Sequence, residues 1–121
     1  RIILTHDASS IPADSICLTD EFRGRTLVVE NVFNYLELLK KLYDDKKIGT
    51  ILLEAGGCLV REFLKAGLVD EWVGFYAPII IGGGADGVAP GPFLEHEAHL
   101  EQPVVNIFGD DVCIRGDICY R

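Results

Sequence analysis

One acidic side chain followed by two glycines is the feature of this sequence best suited to chemistry. Glu54 comes directly after four β-compatible residues at positions 50–53, and Gly56 and Gly57 precede a helical pattern that ends at Gly67. Glycine allows a ligand to approach the backbone closely because it has no Cβ. The first turn of a helix offers unpaired N–H groups and the positive end of the helix dipole. We therefore interpret this turn as a seat for a phosphate group, with Glu54 at its rim.

A purely structural reading of the same turn stays open at this point. Many strand–glycine–helix turns only satisfy backbone geometry. The Glu-Ala-Gly-Gly turn matches neither G-x-G-x-x-G nor G-x-x-x-x-G-K-[ST], the two standard phosphate-binding patterns. The turn alone is therefore a weak signal.

The three histidines are further candidates. His6 follows the first apolar run, where it could face a ligand, although a histidine in such a loop is commonly solvated. His96 and His99 lie three residues apart among acidic residues, at Glu95, Glu97 and Glu101. Because no third histidine or cysteine is nearby, we expect a solvated acidic segment and no metal site.

Composition narrows the classes of function. The formal net charge of −8 argues against binding to nucleic acid or to an anionic membrane surface. No apolar run approaches the roughly 20 residues of a membrane helix. The four cysteines form no C-x-x-C pair, and they are typical of reduced thiols in a cytoplasmic protein: Cys17, Cys58, Cys113 and Cys119.

Two helices are predicted from caps and spacing. Asn34, with Glu37 three residues later, is typical of a helix N-cap. The apolar residues that follow it at helical spacing define a core-facing stripe, formed by Leu36, Leu39, Leu42 and Tyr43. The second helix follows the glycine pair and ends at Gly67. Its predicted buried side consists of Leu59, Phe63 and Leu64.

Short apolar runs predict the strands. They lie at residues 1–5, 16–18 (a brief edge strand), 26–29, 50–53, 72–77 with a continuation over 78–81, 104–108 and 112–120. Strands separated by a helix imply a parallel crossover, whereas the last two flank a Gly-Asp-Asp turn typical of an antiparallel hairpin. We therefore predict a single α/β domain over residues 1–121, three-layered (α-β-α), with a mixed, mainly parallel sheet and a C-terminal antiparallel hairpin.

Several short motifs occur in one order along the chain. They are Leu-Glu-Ala-Gly-Gly-Cys-Leu at 53–59, Phe-Leu at 63–64, Ala-Gly-Leu-Val-Asp-Glu at 66–71, Ala-Pro at 77–78, Gly-Gly at 82–83 and Gly-Asp-Asp at 109–111. Arg-Ile-Ile-Leu-Thr at 1–5 and Ile-Pro-Ala-Asp at 11–14 precede them. This series resembles the C-terminal reductase domain of the bacterial bifunctional riboflavin-biosynthesis deaminase/reductase family. The resemblance spans nearly the whole chain and implies a dihydrofolate-reductase-like fold.

The resemblance implies a reaction and a set of site residues. The family's reductase reduces a phosphoribosylamino-pyrimidine, 5-amino-6-(5-phosphoribosylamino)uracil, to its ribitylamino form with a hydride from NADPH. The resemblance implies that Glu54 contacts the substrate near the sugar and acts in catalysis. The cofactor would be bound by residues after Glu54, namely Gly56, Gly57, Cys58, Leu59 and Val60, and by His6. The family also implies a homodimer formed through the sheets, with the C-terminal hairpin as a suitable edge.

The sequence also departs from the family pattern. Ala55 replaces the first glycine of the pair and Cys58 replaces a threonine. Dihydrofolate reductases have a cis Gly-Gly bond at this turn, so we predict an unusual peptide between Ala55 and Gly56. Glu30 ends a predicted strand, and its negative charge would disfavour the 2′-phosphate of NADPH if that phosphate binds there. An arginine would then have to compensate, and the candidates are Arg23, Arg25 and Arg61.

Two other functions stay open. The family's first reductase strand and helix, and its deaminase half, precede the region matched here, so we expect this chain alone to be inactive. The alternatives are another dihydrofolate-reductase-like enzyme acting on a pterin or pyrimidine, and a non-catalytic nucleotide-binding or oligomerisation remnant. Binding of NADPH without turnover would indicate part of a reductase, whereas absence of binding would favour the remnant.

Overall fold

The chain divides into two compact units with their own secondary structure. The computed structural model describes residues 1–80, 87–92 and 94–121, so the Gly-Gly motif at 82–83 lies outside the described residues. The first unit is Arg1–Gly49 and the second is Thr50–Arg121. The first contains a two-stranded sheet and the second a three-stranded sheet. The predicted α/β class with both parallel and antiparallel pairing is confirmed, while the single domain over residues 1–121 stays a prediction.

The first unit is built on a parallel strand pair. Strand β1 (Ile2–Thr5) pairs with β2 (Leu27–Glu30), and Ile2 lies opposite Leu27. Both strands were predicted from their apolar runs, which suit parallel pairing. Two short 3₁₀ helices, at Ala8–Ser10 and Arg23–Arg25, lie in the connection between the strands.

The brief edge strand predicted at residues 16–18 is wrong. These residues belong to a single helical turn, α1 (Ile16–Thr19). The turn is closed locally, because the amide of Asp20 donates to the carbonyl of Ile16 at 2.9 Å and the hydroxyl of Thr19 donates to the carbonyl of Ser15 at 3.0 Å. Local hydrogen bonds of this kind compete with strand pairing.

Helix α2 (Tyr35–Lys46) begins as predicted but buries a different stripe. The Asn34 side chain accepts a hydrogen bond from the amide of Glu37, which satisfies one unpaired donor of the first turn. Leu42 is buried with 4% exposure, whereas Leu36 and Tyr43 are 46% and 59% exposed. The predicted stripe is therefore wrong at those two residues. The less exposed side of the helix is formed by Leu38, Leu39 and Leu42, which also have helical spacing.

The predicted strand at residues 50–53 is absent from the structure. No described residue forms a ladder with this stretch, and Leu52 is 79% exposed. Residues with suitable β-propensity become a strand only when a neighbouring backbone supplies hydrogen bonds. Among the described residues, this segment therefore has no strand partner.

Helix α3 (Gly57–Lys65) follows the glycine pair, as predicted. Phe63 and Leu64 are buried, and Leu59 is half-buried. Gly67 has a φ of +64°, its amide donates to the carbonyl of Leu64, and the amide of Leu68 donates to that of Phe63. This is a Schellman end, in which glycine adopts the left-handed conformation without the penalty of a Cβ.

The second unit contains an antiparallel sheet in the order β3-β5-β4. Strand β3 (Glu71–Tyr76) and strand β4 (Ala98–Phe108) both pair with the central strand β5 (Asp111–Tyr120). The predicted continuation of β3 over residues 78–80 is not a strand, and residue 81 lies outside the described residues. The hairpin is confirmed, with Phe108 opposite Asp111 and Gly109 at a φ of +63° in the first turn position, as in type II′ turns.

Strand β4 is irregular along its length. The register shifts between Glu101 and Val104, Gln102 has a φ of +44°, and Pro103 has no N–H to donate. A bulge and a proline are the usual features that prevent an edge strand from pairing further. By contrast, the outer edge of β3 carries neither, and no described strand pairs with it.

The two faces of the sheet carry different side chains. On one face, Trp72 and Tyr76 converge over Gly74 and the β5 residues beside them are half-buried, while Val105 and Ile107 of β4 are exposed. The opposite face, called here the outer face, carries exposed apolar side chains, which are Val73, Phe75, Val104 and Phe108. The pairing of Phe75 with Cys113, and of Cys113 with Asn106, places these residues on one side, and the Phe75 and Phe108 ring centroids are 6.1 Å apart.

Within the described part of the chain, no helix has both the length and the apolar character needed to cross a membrane.

Candidate cofactor-binding corner

Residues 54–60, called here the Glu54 corner, follow residues 50–53 and include the first turn of helix α3. The Glu54 side chain is exposed, so it does not point into an apolar interior. Gly56 is the N-cap residue, with extended backbone at φ −63° and ψ 155°. No cis peptide bond occurs among the described residues, so the predicted unusual bond between Ala55 and Gly56 is wrong. The chain enters the helix through ordinary N-cap geometry, which a trans peptide satisfies.

Two amides of the first helical turn have no hydrogen-bond partner in the described part of the chain. The carbonyl of Gly56 accepts hydrogen bonds from Leu59 at 3.0 Å and from Val60 at 3.2 Å. Among the described residues, the amides of Gly57 and Cys58 have no hydrogen-bond partner. Unpaired amides at the positive end of a helix favour an anion. Of the predicted cofactor residues, Gly57 and Cys58 therefore offer backbone donors, whereas the amides of Leu59 and Val60 are already used.

One side of the corner is covered by a segment that sequence reasoning missed. A Cβ added at Gly57 would lie 2.6 Å from Cδ of Pro90, 2.7 Å from the carbonyl oxygen of Gly87 and 3.0 Å from that of Val88. A Cβ added at Gly56 would meet nothing within 4 Å. With respect to the described residues, the corner is therefore closed beside Gly57 and open beside Gly56. In the sequence, only the density of glycine and proline over residues 87–92 indicates a compact turn there.

Arg61 is engaged with the same segment. Its Nη1 donates a hydrogen bond to the carbonyl of Pro92, and its guanidinium lies against Gly91. The other suggested arginines, Arg23 and Arg25, are exposed in the 3₁₀ helix of the first unit. Arg61 therefore has a defined partner within the second unit.

His6 and Glu30 belong to the first unit. His6 is exposed and directly follows β1. The carboxylate of Glu30, at the end of β2, accepts a hydrogen bond from the amide of Ala8 at 2.6 Å. Asp7 caps the 3₁₀ helix Ala8–Ser10, to which Ala8 belongs. The hydrogen bonds that the Asp7 carboxylate accepts from Ser9 hold the pKa of that carboxyl below its ordinary value. Glu30 thus has a structural partner at the first turn of this 3₁₀ helix.

The acidic segment near β4 is solvated. His96 and His99 are exposed, and Nε2 of His99 lies 2.8 Å from a carboxylate oxygen of Glu97. Across the described residues, no group of three or more His, Cys, Asp or Glu side chains is arranged to hold a metal ion. The four cysteines are free thiols, of which Cys58 is exposed and Cys113 is buried.

The arrangement suits one phosphate group beside one carboxylate. The free amides of Gly57 and Cys58 supply hydrogen bonds and a favourable dipole, and the open side at Gly56 leaves room for approach. Glu54 supplies an exposed carboxylate three residues before the first free helical amide. These residues fit a nucleotide cofactor that binds through its phosphates next to a polar substrate.

Comparison with known proteins identifies the family. A model of the RibD C-terminal domain family matches residues 2–114. The chain belongs to this family. The riboflavin biosynthesis protein RibD of Escherichia coli K12 is 34% identical over 95 residues, which cover 74% of this chain and 26% of that protein.

Solved structures of RibD share the fold. Acinetobacter baumannii RibD matches with a TM-score of 0.81 in form 2 and 0.79 in form 1, each at 23% identity over 98% of this chain. The chain covers 37% of those chains, so it spans well under half of its relatives. The dihydrofolate-reductase-like fold expected from the motifs is thereby confirmed.

Proposed function

We propose that the protein containing this chain reduces 5-amino-6-(5-phosphoribosylamino)uracil to its ribitylamino form in riboflavin biosynthesis, with NADPH as the reductant. Membership of the RibD C-terminal domain family supports the pathway. The observation that carries the proposal is the Glu54 corner, where an exposed carboxylate lies next to a helix N-terminus with two amides that have no partner among the described residues. An enzyme that transfers a hydride from a dinucleotide to a sugar phosphate requires a phosphate-binding site and a carboxylate close together.

The residues of the corner divide the work. The amides of Gly57 and Cys58 bind a cofactor phosphate, and Gly56 leaves the backbone accessible. Bound NADPH supplies the hydride. The ring-opened sugar gains hydride at C1′ and a proton at the attached nitrogen, so its carbon–nitrogen double bond becomes a single bond. Glu54 accepts hydrogen bonds from the sugar hydroxyls and takes part in the proton transfer that accompanies the reduction.

A homodimer is part of the proposal, and the exposed apolar side chains of the outer face support that face as its contact. The outer edge of the hairpin is interrupted by the bulge and by Pro103, which makes it a poor site for strand addition. The outer face exposes four apolar side chains at 46–66%. Clustered exposed apolar residues indicate an interaction site, and a two-fold axis would bring the same face of each protomer together.

A cytoplasmic location completes the proposal. It rests on the four cysteines, all of which are free thiols.

NADPH titration of the purified full-length protein tests the function. We expect saturable binding, detected by nicotinamide fluorescence, and oxidation of NADPH only when the phosphoribosylamino-pyrimidine is added. Turnover with a pterin in place of that substrate would instead identify a different dihydrofolate-reductase-like enzyme. Absence of NADPH and NADH binding would refute the reductase proposal and favour a non-catalytic remnant.

A further inference from the structure

Residues 87–92, called here the wall segment, pack against the first half of helix α3. The segment contacts Gly57 so closely that a Cβ there would clash with Pro90 and with two backbone carbonyl oxygens. The contact lies one residue before Cys58, which carries one of the two free amides. The wall segment therefore forms one boundary of the Glu54 corner.

Arg61 holds this segment at its other end. The guanidinium donates to the carbonyl of Pro92, and its Nε lies 3.0 Å from the position that a Cβ of Gly91 would occupy. Gly91 has a φ of +124°, a conformation that side chains other than glycine rarely adopt. A planar guanidinium can hydrogen-bond a carbonyl and lie flat against a glycine at the same time, which a lysine ammonium cannot do.

The orientation of the wall has an electrostatic consequence for the corner. The carbonyl oxygens of Gly87 and Val88 both face Gly57. Carbonyl oxygens carry partial negative charge, so they disfavour an anion on that side of the helix N-terminus. Among the described residues, the approach to the amides of Gly57 and Cys58 that stays open is the side beside Gly56.

We propose that Arg61 is a positioning residue, which holds the wall segment against Gly57 and so fixes the side from which a cofactor phosphate reaches the free amides. This inference rests on the proposed function. Arg61 acts through the wall segment rather than by contact with the cofactor. Loss of its guanidinium releases the segment at Pro92, and the phosphate seat loses one fixed boundary.

Variants of the full-length protein test this role. Arg61→Ala is compared with Arg61→Lys, with Gly91→Ala, and with the matched control Lys65→Ala, which removes an exposed cation from the last turn of the same helix. Two quantities are measured, the dissociation constant for NADPH and the hydrogen–deuterium exchange of the amides at residues 87–91. The kcat at saturating NADPH is measured in parallel.

We expect Arg61→Ala to weaken NADPH binding by about tenfold, the size associated with a hydrogen bond to a charged group. Exchange at residues 87–91 should accelerate, and kcat at saturation should change by less than about twofold, because the reacting groups are not touched. Gly91→Ala should reproduce both effects, and Arg61→Lys should restore only part of the affinity. Lys65→Ala should match the wild type.

Three outcomes overturn the inference while leaving the proposed function in place. They are unchanged NADPH affinity in Arg61→Ala, faster exchange without loss of affinity, and an equal loss of affinity in Lys65→Ala. Failure of the wild-type protein to bind NADPH would instead refute the proposed function, and with it any role of Arg61 in cofactor binding. The exchange measurement still shows, in that case, whether Arg61 holds the wall segment.

Discussion

At the scale of single residues, Glu54 is the side chain to which we assign the proton chemistry. Glu54→Gln keeps the size and removes the charge. We expect kcat to fall by about a hundredfold or more, the usual contribution of a general acid or base, with NADPH affinity nearly unchanged. Steady-state kinetics of the full-length protein measure this, with Glu62→Gln on helix α3 as the control. A Glu54→Gln enzyme with wild-type kcat would exclude the assigned role.

Tyr120 provides a residue-scale prediction about pH. Its hydroxyl donates to the carbonyl of Val69 and accepts from the amide of Val69, both at 3.0 Å. Burial raises the pKa of the Tyr120 phenol, because the charged form would lose solvation. The resulting stabilisation is complete below the unfolded-state pKa of about 10 and is lost as pH rises through the higher pKa of the folded state.

Tyr120→Phe should therefore act in two ways. The variant leaves the backbone of Val69 without its partner, and we expect the free energy of unfolding to fall by about 1–2 kcal/mol at pH 7. The difference between wild type and variant should shrink as pH rises above the unfolded-state pKa of about 10 and through the higher pKa of the folded state, where the wild-type phenol ionises. Denaturant unfolding at a series of pH values measures both. If the difference in the free energy of unfolding between wild type and variant did not change with pH, ionisation of the Tyr120 phenol would not be linked to its hydrogen bonds with Val69.

The residues that were readable from the sequence are those with local roles. Asn34 and Gly67 were predicted as helix boundaries because capping depends on residues three to five positions away. The partnership of Arg61 with Pro92 joins residues 31 positions apart, so no spacing rule indicates it. The Ala55–Gly56 bond shows the opposite failure, because a backbone feature of relatives was transferred to a turn whose first glycine is alanine here.

At the scale of elements, whether a stretch with high β-propensity forms a strand depends on pairing with a neighbouring backbone. Residues 50–53 and 16–18 have compositions suited to strands, yet neither pairs in the described structure. The first stretch forms no ladder with a described strand, and the second closes a helical turn on Ser15 and Asp20. Strands that were predicted correctly, such as β2 and β5, have a partner along their full length. Sequence periodicity reports which residues suit a sheet but not whether a partner is present.

The end of helix α2 gives an element-scale prediction. Lys47 occupies the left-handed region with a φ of +58°, where glycine has no steric penalty. We expect Lys47→Gly to raise the free energy of unfolding by about 0.5–1 kcal/mol. The matched variant Lys46→Gly, inside the helix, should lower it by a similar amount. Thermal unfolding followed by circular dichroism compares the two, and equal destabilisation by both would refute the strain at Lys47.

At the scale of the whole molecule, the outer face predicts self-association. Phe75 is 66% exposed and its ring lies beside that of Phe108, so Phe75→Asp should place a charge within the proposed contact. We expect the wild-type protein to sediment as a dimer at micromolar concentration and Phe75→Asp to sediment as a monomer. Phe75→Leu, which keeps an apolar side chain, should remain dimeric. A monomeric wild type would refute the proposed homodimer.

The irregular strand β4 also limits how far such sheets can grow. Propagation of a sheet from molecule to molecule requires two competent edges, one to receive a strand and one to offer the next. Here the bulge and Pro103 interrupt one of them, whereas the outer edge of β3 has no described partner. We therefore expect association through the described strand edges to stop after two copies meet at β3, which disfavours fibre growth.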